Sequence, residues 1–538
     1  MKQGRHLSTL VRVGLPVCIL LFAACGGEPG SPRQNVLLIT LDTQRADFIG
    51  AYGEGKAHTP HIDGFAARGT LYANAFSPIP ITAPAHAALF YSLPPHRLQI
   101  YNNGQIFNPD ASWTSLAEVF RRRGARTAAF VSLGVLNARF NLDAGFEEYW
   151  DETHAQRWYR TAREVNERVL PWLEQNRDNR FFVWVHYSDP HDPYAPPDMA
   201  PDLRIRCRGE VLHEICVQKR EDLELKLGLL PGDNRIVLES LQPFPAARDE
   251  YRVSLNDIEF HDREGLDITI EEGALLERET GQILAFRERA VITVRNPGPS
   301  RELILTAQGN LNLFPSEMAL GYRREVEYLD SEIGRLKEKL MSLGLQENTL
   351  VILVGDHGEG LGEHLGENRE VYFGHIHYLR NLYLKVPLIV CDPGSDSGPV
   401  RVHSPVSIMD IAPTLMAKMG WKPPSFYSGQ TLPEQTQKQT RFLFQETYRP
   451  EAFEDRFGAL QDPWHLIFTP ATRQIQLFHA GKNRPETQDV YSSFREDPAV
   501  RKLAREVVRR AKEIGRTKED VELDRESIEM LRSLGYIK

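Results

Sequence analysis

Three residues of this chain stand where apolar runs stop. Asp42 follows Val36-Leu37-Leu38-Ile39-Thr40-Leu41, and the pair Asp356-His357 follows Leu350-Val351-Ile352-Leu353-Val354-Gly355. A lone carboxylate at a strand end is most often a turn or cap residue. Two carboxylates and an imidazole brought to strand ends together are a donor set for Ca²⁺, Mg²⁺, Mn²⁺ or Zn²⁺, the histidine tilting the choice towards Mn²⁺ or Zn²⁺. The pair lies inside Gly355-Asp356-His357-Gly358-Glu359-Gly360, whose glycines permit close backbone approach to a ligand. A third run, from Phe181 to Val185, ends at His186.

Positioning these groups needs a particular scaffold. Continuous β-branched runs without alternation predict strands covered on both faces, hence a mainly parallel sheet between helices. Polar residues just past the C-terminal strand ends are where open α/β sheets place ligands. Covering helices are predicted from Ser115 to Arg123 and from Tyr322 to Leu340, the second with Val326, Leu329, Ile333, Leu336 and Leu340 on one face. Residues 203–312 read differently: short β-forming segments separated by turn signals such as Pro231-Gly232-Asp233-Asn234 predict an inserted antiparallel β domain. From 441 onward, Trp464–Phe468 and Gln474–Phe478 read as hairpin strands, with a basic helix from Ala499 to Ile514, a small C-terminal α+β subdomain. The two stretches 35–202 and 313–440 then form the catalytic domain.

At 538 residues the chain is long enough for roughly two to four domains. Its net charge of −9 is spread along the sequence, which argues against a nucleic-acid surface. Lys2, Arg5 and Arg12 precede an apolar run, Val13 to Ala24, that is too short for a membrane span. Residues 1–24 thus read as an export signal. The sequence Leu21-Phe22-Ala23-Ala24-Cys25 predicts a bacterial lipoprotein, lipidated at Cys25 and held in the cell envelope, with a plain secretory signal as the alternative; residues 25–34 read as a linker. In such an oxidising compartment Cys207 and Cys216 are close enough in sequence to permit a disulfide, while Cys391 reads as a core thiol.

Several motifs together resemble the sulfatase family of the alkaline-phosphatase superfamily. They are Leu41-Asp42-Thr43-Gln44-Arg45 with Thr59-Pro60-His61-Ile62-Asp63, Val185-His186-Tyr187-Ser188-Asp189-Pro190-His191-Asp192-Pro193-Tyr194, and Gly355–His364. Phe373-Gly374-His375, Val386-Pro387-Leu388-Ile389 and the closing Leu531-Arg532-Ser533-Leu534-Gly535-Tyr536 complete the series, in family order. The resemblance implies an alkaline-phosphatase-like mixed sheet, one divalent metal ion (Mn, Ca or Zn) and a small-molecule or glycan sulfate or phosphate ester as substrate.

The family's nucleophile sits in Cys-x-Pro-x-Arg, its cysteine oxidised to formylglycine. Here the stretch is Thr82-Ala83-Pro84-Ala85-His86, so Thr82 replaces the cysteine and His86 the arginine. Threonine cannot become formylglycine. Two expectations follow: Thr82 itself attacks, its hydroxyl joining Asp42, Asp356 and His357 at the metal, or catalysis is lost and a binding site remains. By the resemblance Asn103 binds a non-bridging oxygen, His191 protonates the leaving oxygen, His375 neutralises charge, and His86 orients or deprotonates Thr82. His186 and His364 read equally well as site or packing residues. Thr43 replaces a frequent second aspartate, which weakens the case for Ca²⁺, and Pro193 after Asp189 argues against a second zinc site. A hydrolase of sulfate or phosphate esters is the leading expectation; a phosphotransferase of envelope glycans and a non-catalytic binding protein are the alternatives.

Overall fold

The computed structural model describes residues 34–515 and residue 528, apart from 54, 153–157, 218–221, 243–250, 279–280, 314, 366–370, 395–397, 438–440, 449–453, 481–485 and 487. The signal segment, Cys25 and the Leu531–Tyr536 motif lie outside the described residues.

An eight-stranded sheet organises the chain. Its order is Val400–Val402, Thr70–Tyr72, Leu388–Cys391, Thr349–Gly355, Asn35–Leu41, Phe181–Tyr187, Arg126–Phe130 and Glu148–Trp150. Asn35–Leu41 runs parallel to both neighbours, and Leu388–Cys391 is antiparallel to its own, which makes the sheet mixed but mainly parallel. Every residue of the three central strands is buried. The reason is visible in the alternation of the first: Val36 and Leu38 join the core on one face, while Leu37, Ile39 and Leu41 join the core on the other.

Helices close both faces. Leu116–Arg122 begins at Ser115, whose hydroxyl accepts the Glu118 N–H at 3.1 Å. Helix Pro315–Ser342 buries Tyr322, Val326, Leu329, Ile333, Leu336 and Leu340 as the periodicity requires. Helix Thr82–Tyr91 is buried throughout.

Strands between Leu203 and Leu311 form two five-stranded antiparallel sheets whose inward residues, among them Ile205, Leu227, Leu255 and Ile292, make a core of their own. The C-terminal sheet, Leu443–Thr447 to Gln474–His479, is covered by helix Pro498–Ile514. Val500, Leu503 and Val507 of that helix belong to the main core, so this subdomain is continuous with the large sheet's packing.

The cysteine expectation fails. Strands Leu203–Cys207 and Glu210–Ile215 form a hairpin in which Cys207 opposes Glu210 at the turn, whereas Cys216 lies beyond the far end, and no disulfide joins them. Cys391 is half-buried, and burial raises its thiol pKa.

Candidate functional site

Register explains why the acidic groups meet. Leu41 is paired with Gly355 on one side and Tyr187 on the other, so Asp42 and Asp356 leave adjacent strands at one level. Thr40, paired with His186, lies one step below. Ligand atoms of Asp42, Asp356 and His357, all fully buried, fall within 4.8 Å of one another.

Asp356 Oδ1 accepts the backbone N–H groups of Thr43 at 3.1 Å and His357 at 2.7 Å. Its Oδ2 and both oxygens of Asp42 have no hydrogen-bond partner despite complete burial. Asp42 Oδ2 makes a long contact of 3.4 Å with His186 Nε2. His357 Nδ1 lies 3.1 Å from the Gly358 carbonyl, which can only accept, so Nδ1 carries the proton. Nε2 therefore turns a lone pair towards Asp42 Oδ1 at 3.7 Å and Asp356 Oδ2 at 3.4 Å. Buried carboxylate oxygens without hydrogen-bond partners are costly unless a proton or a cation sits among them. This set fits a divalent ion.

The electrostatics agree. Burial alone would raise Asp42, but the His186 contact and the charges of His191, His357 and His186 outweigh it and hold the group below the usual carboxylate range. Burial, then the neighbouring charge of Asp42, pushes Asp356 well above that range. Burial, followed by His375, lowers His357 to about 3, which keeps the ring neutral.

Thr82 opens its helix at this cluster, with Oγ1 3.2 Å from His357 Nε2. Its neighbour Ala83 donates its backbone N–H to Asn103 Oδ1 at 2.9 Å. That bond fixes the amide's orientation and leaves the buried Asn103 Nδ2 as a donor without a partner. Beyond it the imidazoles form a file: His357 to His375 at 4.4 Å between ring centroids, His375 to His191 at 5.3 Å. His191 Nδ1 donates to the Asp192 carbonyl at 2.6 Å. His375 Nδ1 is 3.4 Å from both oxygens of Glu359.

Two expectations need correction. His86 is not placed to deprotonate Thr82: Nδ1 is 2.8 Å from the Thr82 carbonyl and Nε2 is 3.0 Å from Thr40 Oγ1, which itself accepts Trp184 Nε1–H at 2.8 Å. Both nitrogens are thus engaged away from the hydroxyl, and burial with the His186 charge lowers the ring to about 3. Orientation of the Thr82 backbone is what the geometry allows. Nor does Gly358 leave room for a ligand; a Cβ there would meet the Leu382 carbonyl oxygen at 2.1 Å, and its N–H bonds Tyr383 O at 2.7 Å.

Sequence reasoning passed over Glu359, buried and raised to about 8 by burial, although it lies inside the Asp356-His357 motif. It also missed Thr40, the polar residue inside the apolar run Val36–Leu41, and left His186 open. His364 stands apart from the cluster, its Nε2 2.5 Å from Tyr383 OH and its ring packed on Tyr372 and Tyr378.

A model of the sulfatase family matches residues 34–421, most of the chain. The chain belongs to the sulfatase family. It is similar to the uncharacterized sulfatase YidJ of Escherichia coli K12, 21% identical over 79% of this chain and 75% of that one. Among solved structures, a protein in complex with its substrate D-glucosamine-2-N,6-O-disulfate aligns with a TM-score of 0.59 at 15% identity, covering 90% of this chain and 98% of the other. The phosphonate monoester hydrolase of Agrobacterium radiobacter aligns with a TM-score of 0.57 at 17% identity, covering 89% and 96%. These likenesses establish an alkaline-phosphatase-like fold and a hydrolase of sulfate or phosphate esters.

Proposed function

We propose that this sulfatase relative hydrolyses esters of phosphate, and more slowly of sulfate, with Thr82 as its nucleophile. The observation that carries the reading is the placement of Thr82 Oγ1, buried and 3.2 Å from His357 Nε2, beside the unpartnered oxygens of Asp42 and Asp356. Asp42, Asp356 and His357 would hold a divalent ion, with Thr82 Oγ1 at its side. When bound, that ion supplies positive charge that favours the ionised hydroxyl and the developing anion.

The remaining work falls to the chain's own groups. Asn103 Nδ2, aimed by the Ala83 N–H, donates to a non-bridging oxygen. Thr82 Oγ1, ionised with its proton given up to solvent, attacks phosphorus or sulfur while the bond to the alcohol oxygen breaks, and it is ionised again once water displaces it. His191, held by the Asp192 carbonyl, gives a proton to that departing oxygen through Nε2. His375, backed by Glu359, faces the anion's charge. Water then releases the product from Thr82, with His191 taking its proton. Threonine favours phosphorus because it lacks the self-releasing hydrate that formylglycine offers sulfate esters. The neighbour bound to a disulfated glucosamine supports a glycan ester as natural substrate. The N-terminal pattern supports export and lipid anchoring at Cys25 in the cell envelope.

The test is turnover of aryl phosphate, aryl phosphodiester and aryl sulfate by metal-reconstituted protein and by Thr82→Ala. Cleavage of at least one phosphate ester with a loss on the order of 10³ or more in the variant is expected. Undiminished turnover by Thr82→Ala, or sulfate cleavage alone, would overturn the reading. Transfer to added alcohols in preference to water would favour a phosphotransferase.

A further inference from the structure

A cleft of about 640 Å³ lies outside the catalytic cluster, between the loop from Phe76 to Pro78, the short helix Pro95–Leu98, the segments around Ser404 and Ser428, and the C-terminal strand that begins at Leu443. None of Asp42, Thr82, Asn103, His191, Asp356, His357 or His375 lines it. Helix Thr82–Tyr91 starts at the nucleophile, and His96 and Arg97 come after its other end, about 15 Å along the axis.

Its lining has a one-sided charge. His96, Arg97, Arg441 and Arg510 contribute to the wall, and among the described residues no aspartate or glutamate does, in a chain whose net charge is −9. The carboxylates paired with His96 and Arg441 sit behind the wall. Glu446, buried, takes the His96 N–H at 2.9 Å and Nδ1 at 2.8 Å; Asp410, fully buried, takes both terminal nitrogens of Arg441 and the Ser407 and Gln430 backbone N–H groups. Arg97 is exposed and reaches a hydroxyl, Ser428 Oγ at 3.1 Å. Arg510 lies over the rings of Phe442 and Phe444 at 4.8 and 5.3 Å, with Nε spent on Glu506. Serine, threonine and glutamine side chains supply much of the remaining lining.

We propose that this cleft is a second anion-binding site, taking a sulfate or phosphate group carried on a polar, hydroxyl-rich ligand. Arg97 and Arg510 bind the anion by charge-assisted hydrogen bonds, while the buried Arg441–Asp410 and His96–Glu446 pairs hold the walls apart. The hydroxyl and amide groups suit the rest of a saccharide. Inorganic anion and saccharide ester share this chemistry. The inference rests on the cleft and requires no turnover, so it stands or falls separately from the Thr82 reading.

Binding of inorganic sulfate, inorganic phosphate, a sulfated disaccharide and the same disaccharide without sulfate is measured calorimetrically. The proteins are the full chain and its Arg97→Gln/Arg510→Gln double variant. Both substitutions leave the Arg441–Asp410 and His96–Glu446 pairs intact, and the thermal unfolding midpoint serves as the folding control and stays unchanged. The expected result is a loss of about tenfold or more in affinity for the sulfated disaccharide or for the inorganic anions, the first assigning the site to a saccharide and the second to a free anion. Equal affinities in the two proteins, or tighter binding of the unsulfated disaccharide, would overturn the proposal.

Discussion

At the scale of single residues, the site is a set of buried acidic and imidazole groups that converge within 4.8 Å. Asp42 and Asp356 differ in their proton affinity because one is faced by imidazoles and the other by a carboxylate. Asp356 thus holds its proton above the usual carboxylate range in the metal-free protein, and a cation must displace that proton to bind. The sign follows: affinity for Mn²⁺ or Zn²⁺ rises with pH and falls on acidification, with proton release on binding. Isothermal titration in buffers of different ionisation enthalpy should detect the release; pH-independent affinity would count against these ligands. His191 offers a second residue-scale prediction. His191→Ala should slow esters of poorly acidic alcohols by about 10²–10⁴-fold and barely affect activated aryl esters, which leave without a proton. A leaving-group series measures this, and equal losses across the series would place His191 elsewhere in the mechanism.

At the scale of elements, the sequence showed the strands that deliver Asp42 and Asp356 because apolar runs ending in acidic residues are a one-dimensional pattern. It could not show the register pairing Leu41 with Gly355, which is why the two carboxylates share a level. Nor could it show His86 turned away from the Thr82 hydroxyl, since that depends on Thr40 and Trp184 meeting from two different strands. The helix from Pro315 to Ser342 and the β-rich insert were legible from periodicity and turn chemistry. The Cys207–Cys216 misreading has the same origin as the His86 one: nearness in sequence says nothing about which end of a hairpin a residue occupies. The Thr40 junction is testable. Thr40→Val should cost about 1–3 kcal/mol by leaving Trp184 Nε1–H without its acceptor and releasing His86, measured by chemical unfolding. Stability equal to the parent protein would show that the network is slack.

On the scale of the whole molecule, one helix links the inserted sandwich to the site. Arg252, buried at the end of the sandwich, donates to Gln242 O and Asn312 O at 2.6 Å each and pairs with Glu317 at 2.8 Å in the first turn of helix Pro315–Ser342. Further along that helix, Tyr322 OH donates to Thr43 O at 2.7 Å and accepts the Arg45 N–H at 2.9 Å, next to Asp42. Arg252→Ala leaves two carbonyls and a carboxylate without their shared partner and should cost about 3 kcal/mol. Thermal unfolding would register it, and an unchanged melting temperature would mean that the insert is only loosely tied to the helix.

The account's central claim is that the Thr82 oxygen becomes bonded to the substrate's phosphorus. The direct measurement is mass spectrometry of protein quenched in acid during steady-state turnover of an aryl phosphate. A peptide containing Thr82 should be heavier by one phosphoryl group, and the corresponding peptide of Thr82→Ala should stay unmodified. Active turnover with no adduct at this position would contradict it.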